Sequence, residues 1–337
     1  MMMMRRVAAL GLALSFISVH LTGQCHGQLQ VGFYKGKCKF DVESIVRGVV
    51  EAKFITDKTI TAALLRLHFH DCFVHGCDAS ILLEGSNSEK TAQPNLSVRG
   101  YDIIDAAKAA VEFFCPGLVS CADIIAMATR DSVLLAKGGW YNVQTGRRDG
   151  SVSSAQDVNL PSPSFNIPEA VAAFASKGLD VTDMVYLLGG HTVGLTHCSF
   201  FQDRLYNFQD TGKPDPTMDA TLLSMLRQRC PQNSAGTNTT FLDQNPSSSF
   251  TVDNSFYQQI LMHKGVLQVD QELALDPITK SIVATIANGK DFSYNFGRAM
   301  VKLGAVQVLT GNQGEIRRDC RSVNNPSNSS SNSNIEE

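Results

Sequence analysis

Apolar residues along this chain recur at intervals of three and four rather than two. Ile103, Ala107, Ala110, Val111 and Phe114 fall on one helical face. Asn166 and Pro168 open a second helix that runs through Phe174 and is closed by Gly178. Asp276 and Pro277 open a third ahead of Ile278, Ile282 and Ile286, with Gly289 at its far end. Asx just before proline starts a helix because the side chain caps a free N–H and proline presets φ; glycine ends one because it enters the left-handed region freely. Ala62, Leu64, Leu65 and Leu67 make a further apolar helix, interrupted by Arg66 and His70. Strand-like alternation is scarce and no internal repeat is present. The pattern predicts an all-α fold.

The two ends depart from this pattern. Arg5 and Arg6 precede a short apolar run, Val7 to Val19, which suits a secretory signal and is too short for a membrane span. Gly23, Cys25 and Gly27 offer small residues for cleavage, so residues 1–27 are read as a signal peptide and the mature chain starts near Gln28. From Asn324 the chain is Ser/Asn-rich and nearly devoid of apolar side chains, which predicts a disordered polar tail over 324–337. No second apolar run approaches span length, so no membrane partner is expected.

Composition adds two constraints. The net charge is −3, which leaves no basic excess for nucleic acid. Nine cysteines point to an oxidising compartment; Cys25 leaves with the signal and eight remain. An even number suggests four disulfides, and the absence of paired C-x2-C spacing argues against zinc.

Two histidines stand in unusual company. Arg66 and His70 are i and i+4, so a cation and an imidazole share one face of an otherwise apolar helix. A surface pair is the ordinary explanation; a cavity lining is the alternative. His191 follows an apolar helix and the pair Gly189-Gly190, which lets backbone approach something flat and bulky. A lone histidine there is ordinarily a satisfied core residue.

These segments resemble the secretory plant haem peroxidases (class III). The resemblance runs from Gln28 to Val323 and rests on Leu65 to Leu83 around Arg66 and His70, Ser120-Cys121-Ala122-Asp123-Ile124, Gly146-Arg147-Arg148-Asp149, Gly189 to Gly194 around His191, and Val269-Asp270-Gln271-Glu272-Leu273. It implies a haem-peroxidase domain over 28–323, with two helical halves sandwiching one haem b (protohaem IX). Hydrogen peroxide would oxidise the haem to a ferryl state, and phenolic donors would return it by one-electron steps. A non-catalytic scaffold would have no need of Arg66, His70 and His191 together, and a non-haem metalloenzyme would need more histidines at ligand spacing.

Residue by residue, the resemblance makes His191 the proximal iron ligand and Asp270 the acceptor of its other nitrogen. His70 becomes the distal acid/base, Arg66 the stabiliser of developing negative charge, and Asn95 the group that orients His70. Phe69 shields the distal face, and Pro161 borders the substrate channel, near small or polar residues such as Ser164. Two Ca2+ ions are implied. The distal one takes Asp71, Asp78, Ser80, the Val74 and Gly76 carbonyls, and Glu89 through water. The proximal one takes Thr192, Asp243, Asp253, the Thr251 carbonyl and a serine; counting back from Asp253 favours Ser248, with Ser247 and Ser249 as alternatives. The implied disulfides are Cys38–Cys115, Cys72–Cys77, Cys121–Cys320 and Cys198–Cys230. The expected protein is a secreted monomer of the apoplast or cell wall, with the vacuole as alternative. Trp140, the sole tryptophan, is expected in the core. Asn95, Asn238 and Asn328 each open a glycosylation sequon.

Overall fold

The structure is a computed structural model that describes residues 29–232 and 237–324. The predicted signal segment and the tail beyond Asn324, with the Asn328 sequon, lie outside the described residues. Twelve α-helices appear among those residues: α1 (Val42–Thr56), α2 (Ile60–Cys72), α3 (Tyr101–Phe114), α4 (Cys121–Leu135), α5 (Ile167–Ala175), α6 (Val181–Leu188), α7 (Gln202–Tyr206), α8 (Ala220–Arg229), α9 (Ser255–Leu261), α10 (Gln268–Leu275), α11 (Lys280–Asn288) and α12 (Phe292–Leu303). Two short antiparallel pairs accompany them: β1 (Gln30–Val31) with β2 (Gln144–Thr145), and β3 (Leu195–His197) with β4 (Thr239–Phe241). The helical architecture agrees with the apolar periodicity.

Ten of the helices form two groups. α1, α2, α3 and α4 pack on one another, and α5, α6, α9, α10, α11 and α12 form the second group. α4 is the spine of the first, buried on every side from Cys121 to Val133. Its charged residues are tolerated because each is paired, since an unpaired buried charge costs several kcal/mol. Asp123 accepts from Tyr34 Oη at 2.6 Å and from Arg147 at 2.8 Å, and Arg130 Nε donates to Asp131 at 2.7 Å. The Gly-Arg-Arg-Asp motif serves this scaffold. Asp149 accepts the free N–H groups of Cys121 and Ala122 at 3.1 and 2.9 Å, at the positive end of α4.

Local signals mostly match their elements. Asn166 and Glu169 form a reciprocal capping box on α5, and Asp180 and Asp183 form one on α6. Three expectations need correction. α11 begins at Lys280, because Asp276 ends α10 and then caps a turn by accepting the Ile278 N–H at 2.8 Å. Phe114 lies at the frayed end of α3 and is 41% exposed. Trp140 is 46% exposed, with the guanidinium groups of Arg47 and Arg130 at 4.9 and 4.0 Å from its ring centre. Such cation–π contacts give an indole a stable place at the surface.

The four expected disulfides are all formed. Cys121–Cys320 spans 199 residues and ties the chain's end to the spine helix. In the loop-entropy account it stabilises most, so Cys121→Ala/Cys320→Ala is expected to lose roughly 3–5 kcal/mol in denaturant unfolding. A loss no greater than that of Cys72→Ala/Cys77→Ala would contradict the ranking.

Candidate active site

Between the two helical groups lies a cavity of about 1250 Å³. Arg66, Phe69 and His70 line it from α2, and His191 lines it from the turn after α6. Ordinary ligand pockets hold roughly 300–1,000 Å³, so this one takes a large cofactor with room for a small donor. Its walls between the histidines are apolar, including Leu187, Val193, Phe296 and Met300. Gly190 lines it with no atom within 4 Å of where a Cβ would stand, whereas a Cβ on Gly189 would collide with Tyr257. The double glycine therefore serves two faces: Gly189 admits a protein ring, and Gly190 opens to the cavity.

On the α2 wall, His70 Nδ1 lies 2.6 Å from Asn95 Oδ1. Asn95 Nδ2 donates to the Glu89 carbonyl at 2.8 Å, which fixes the amide with its oxygen toward the imidazole. Nδ1 is then the donor and Nε2 carries the lone pair. Arg66 Nε donates to that Nε2 at 3.2 Å. Burial, and then the Arg66 charge, push the His70 pKa down to about 3, leaving a neutral base. Arg66 is itself held by Ser97 Oγ at 3.0 Å and the Pro94 carbonyl at 2.9 Å. Ser97 was legible only as the third residue of a sequon.

On the facing wall, His191 Nδ1 lies 2.8 Å from Asp270 Oδ1, and the ring packs edge-on against Phe256. Burial opposes the charged imidazole, but the Asp270 charge and hydrogen bond outweigh it, and the His191 pKa rises. Nε2 has no hydrogen-bond partner among the described residues, so one nitrogen is oriented by a carboxylate and the other is left for a ligand. These residues fit a flat iron cofactor held from one side. Phe69 packs on Phe73 at 4.3 Å beside the distal pair, and Pro161 sits at the cavity rim with Ser162, Pro163 and Ser164. His68, on the other face of α2, is buried against Arg147 and does not reach this cavity.

Two oxygen clusters flank the cavity. Asp71, Asp78, Ser80 and Glu89 are all buried just beyond His70. Asp71 Oδ1, Ser80 Oγ and both Glu89 carboxylate oxygens have no hydrogen-bond partner there. Buried oxygens orphaned together suit a hard cation. The Val74 carbonyl accepts Lys177 Nζ at 3.0 Å and the Gly76 carbonyl accepts the Asp78 N–H at 2.8 Å, each keeping a second lone pair. In the other cluster Thr192 Oγ1 lies 3.3 Å from both the Thr251 carbonyl and Asp253, and Ser248 Oγ donates to Asp243 at 2.6 Å. Ser247 and Ser249 turn to Asn245 instead, so Ser248 is the serine that joins this group. Ser255, absent from the sequence reading, also belongs: its N–H donates to Asp253 at 2.9 Å.

Asn95 is 2% exposed and bonded through both amide atoms, while Asn238 is exposed. Glycosylation needs an accessible amide. Glycopeptide mass spectrometry of secreted protein is expected to find Asn95 bare and Asn238 modified; high occupancy at Asn95 would remove it as the partner of His70.

A scan for protein families matches residues 46–289 to the peroxidase family. Among curated proteins the chain is 56% identical over 306 residues to Peroxidase 60 of Arabidopsis thaliana, covering 90% of this chain and 92% of that protein. It is 55% identical over 298 residues to Peroxidase 57, covering 88% and 93%, and 49% identical over 318 residues to Peroxidase 44, covering 93% and 98%, both from the same plant. The chain therefore belongs to the peroxidase family, haem-dependent oxidoreductases that reduce hydrogen peroxide at the expense of small-molecule donors.

Proposed function

We propose that this chain holds protohaem IX between His191 and His70, reduces hydrogen peroxide to water, and takes the electrons one at a time from phenolic donors. The observation that supports this is the opposition of two histidines across one cavity, each oriented by its own partner, Asn95 or Asp270. The haem supplies the redox chemistry when bound. The protein does the rest. His191 Nε2 would ligate the iron, and Asp270 would raise the basicity of that ring through Nδ1. His70 Nε2 takes one proton from hydrogen peroxide and returns it to the departing oxygen. Arg66, anchored by Ser97 and Pro94, stabilises negative charge as the O–O bond breaks. Phe69 shields the distal side, and donors reach the cavity past Pro161.

The two oxygen clusters would each hold one Ca2+. Asp71, Val74, Gly76, Asp78 and Ser80 would hold the distal ion, with Glu89 supporting it. The proximal ion takes Thr192, Asp243, Ser248, Thr251 and Asp253. Residues 28–323 act as one peroxidase domain, released as a monomer to the apoplast or cell wall after removal of residues 1–27. No helix among the described residues is long and apolar enough to cross a membrane.

His191→Ala tests the reading directly. The variant is expected to lose haem, seen as loss of the haem absorption band in purified protein. A normal five-coordinate ferric spectrum in that variant would sink the assignment.

A further inference from the structure

The cavity does not end at the two histidines. It continues along the β3–β4 ribbon, where Leu195, Phe241 and Phe250 also line it. Leu195 and Phe241 are paired directly across the two strands, so their side chains share one face of the ribbon. The Phe250 ring meets the Phe241 ring edge-on, with centroids 5.6 Å apart. Leu195 is 47% exposed and Phe250 43%. An apolar shelf that is open to water and continuous with a ligand cavity marks a place where ligand lies.

The shelf is fixed in advance. β3 follows the turn that carries His191. Phe250 stands in a closed turn, in which the Thr251 N–H donates to the Ser248 carbonyl at 2.7 Å. Ser248 Oγ is tied to Asp243 at 2.6 Å, and the Thr251 carbonyl accepts from Thr192 Oγ1 at 3.3 Å. Little ordering entropy is therefore lost when a ligand settles on these side chains. The rim at Pro161 differs. Its Ser162 and Ser164 hydroxyls bond to each other at 2.7 Å, and residues 161–164 present no aromatic ring.

We propose that Leu195, Phe241 and Phe250 form a second donor subsite, which holds the far ring of a two-ring phenol while its phenolic ring enters the cavity. This rests on the phenol-oxidising reading above and adds the donor's size to it. A one-ring donor inside the cavity leaves the shelf bare. The three side chains carry no charge, so the far group they select is apolar, and a flat ring covers both phenylalanines at once.

The test uses full-length, haem-loaded protein without peroxide and two matched ligands, 4-vinylphenol and 4-hydroxystilbene, which adds only a phenyl ring. The dissociation constant is read from the ligand-induced change in the haem absorption band. One well-placed aromatic contact corresponds to about two- to tenfold in affinity, the preference expected for the stilbene. Phe241→Ser/Phe250→Ser is expected to remove most of that preference by weakening the stilbene alone, and Phe250→Tyr to keep it. If the double variant fails to bind haem, Leu195→Ser reports on the same shelf. With peroxide added, KM for the stilbene should rise in the serine variants while kcat holds. Equal affinities for the two ligands in the wild type, or a preference that survives the serine variants, overturns the second subsite and leaves the phenol reading standing. Failure of both ligands to bind and to be oxidised overturns the two together. A dimer that Phe250→Ser separates in sedimentation would give the shelf to a second copy and overturn the subsite as well.

Discussion

Replacing His70 by leucine is expected to slow the reaction with hydrogen peroxide by about 10²–10⁴-fold while haem stays bound, the range for loss of one positioned acid/base group. Leucine fills a similar volume on α2 and leaves the His191–Asp270 pair on the facing wall untouched. What it removes is the Nε2 lone pair that faces the cavity, prepared by the Asn95 oxygen on Nδ1. Arg66→Leu is expected to slow the same step by removing the guanidinium that now points at Nε2. The pH profile follows from the depressed His70 pKa of about 3, caused first by burial and then by Arg66. Protonation of Nε2 abolishes the acceptor, so the wild-type rate constant should be flat between about pH 5 and 8 and fall only as the pH approaches that value. Stopped-flow mixing under limiting peroxide decides this. Unchanged rate constants in both variants would take these residues out of the mechanism.

How much of this site could be read in the sequence depended on how far apart its parts lie. Arg66 and His70 share a face because four residues make about one helical turn, and that regularity is local. The capping box of α5 was legible for the same reason, as both partners lie within one turn. His191 and Asp270 are separated by 79 residues, and nothing local to either one announces the other. That pair came from the family resemblance, as did the disulfides, of which Cys121–Cys320 is the extreme case. Trp140 shows the opposite failure. Its apolar area suggested the core, but guanidinium groups contributed by α1 and α4 pack against it at the surface. Ser97 was overlooked because its hydroxyl acquires a role only when the loop after Asn95 folds back over α2.

Chelating calcium from the purified enzyme is expected to lower its melting temperature by several degrees, and by more at pH 8 than at pH 5. A ligand present at a hundred times its Kd stabilises the folded state by about 2.7 kcal/mol, which sets the scale of the loss. The pH dependence comes from the buried carboxylates beyond His70. Without a cation, burial pushes the Asp71 carboxyl well up, with the Asp78 and Glu89 charges adding to it. Burial likewise raises Glu89 to about 7, with Asp78 and Asp157 adding. A carboxyl whose folded pKa is raised favours folding while protonated, below its unfolded value, and that contribution is lost as the pH rises through the folded value. For Glu89 the loss is complete above about pH 7, so the chelated protein is least stable in mildly alkaline solution. A bound cation offsets the repulsion among Asp71, Asp78 and Glu89 and removes that dependence, so the gap between loaded and chelated protein widens with pH. Calorimetric scans at the two pH values, with metal content assayed on the same samples, measure the gap. A calcium-free sample that melts with the loaded one at both would mean that these orphaned oxygens hold no calcium.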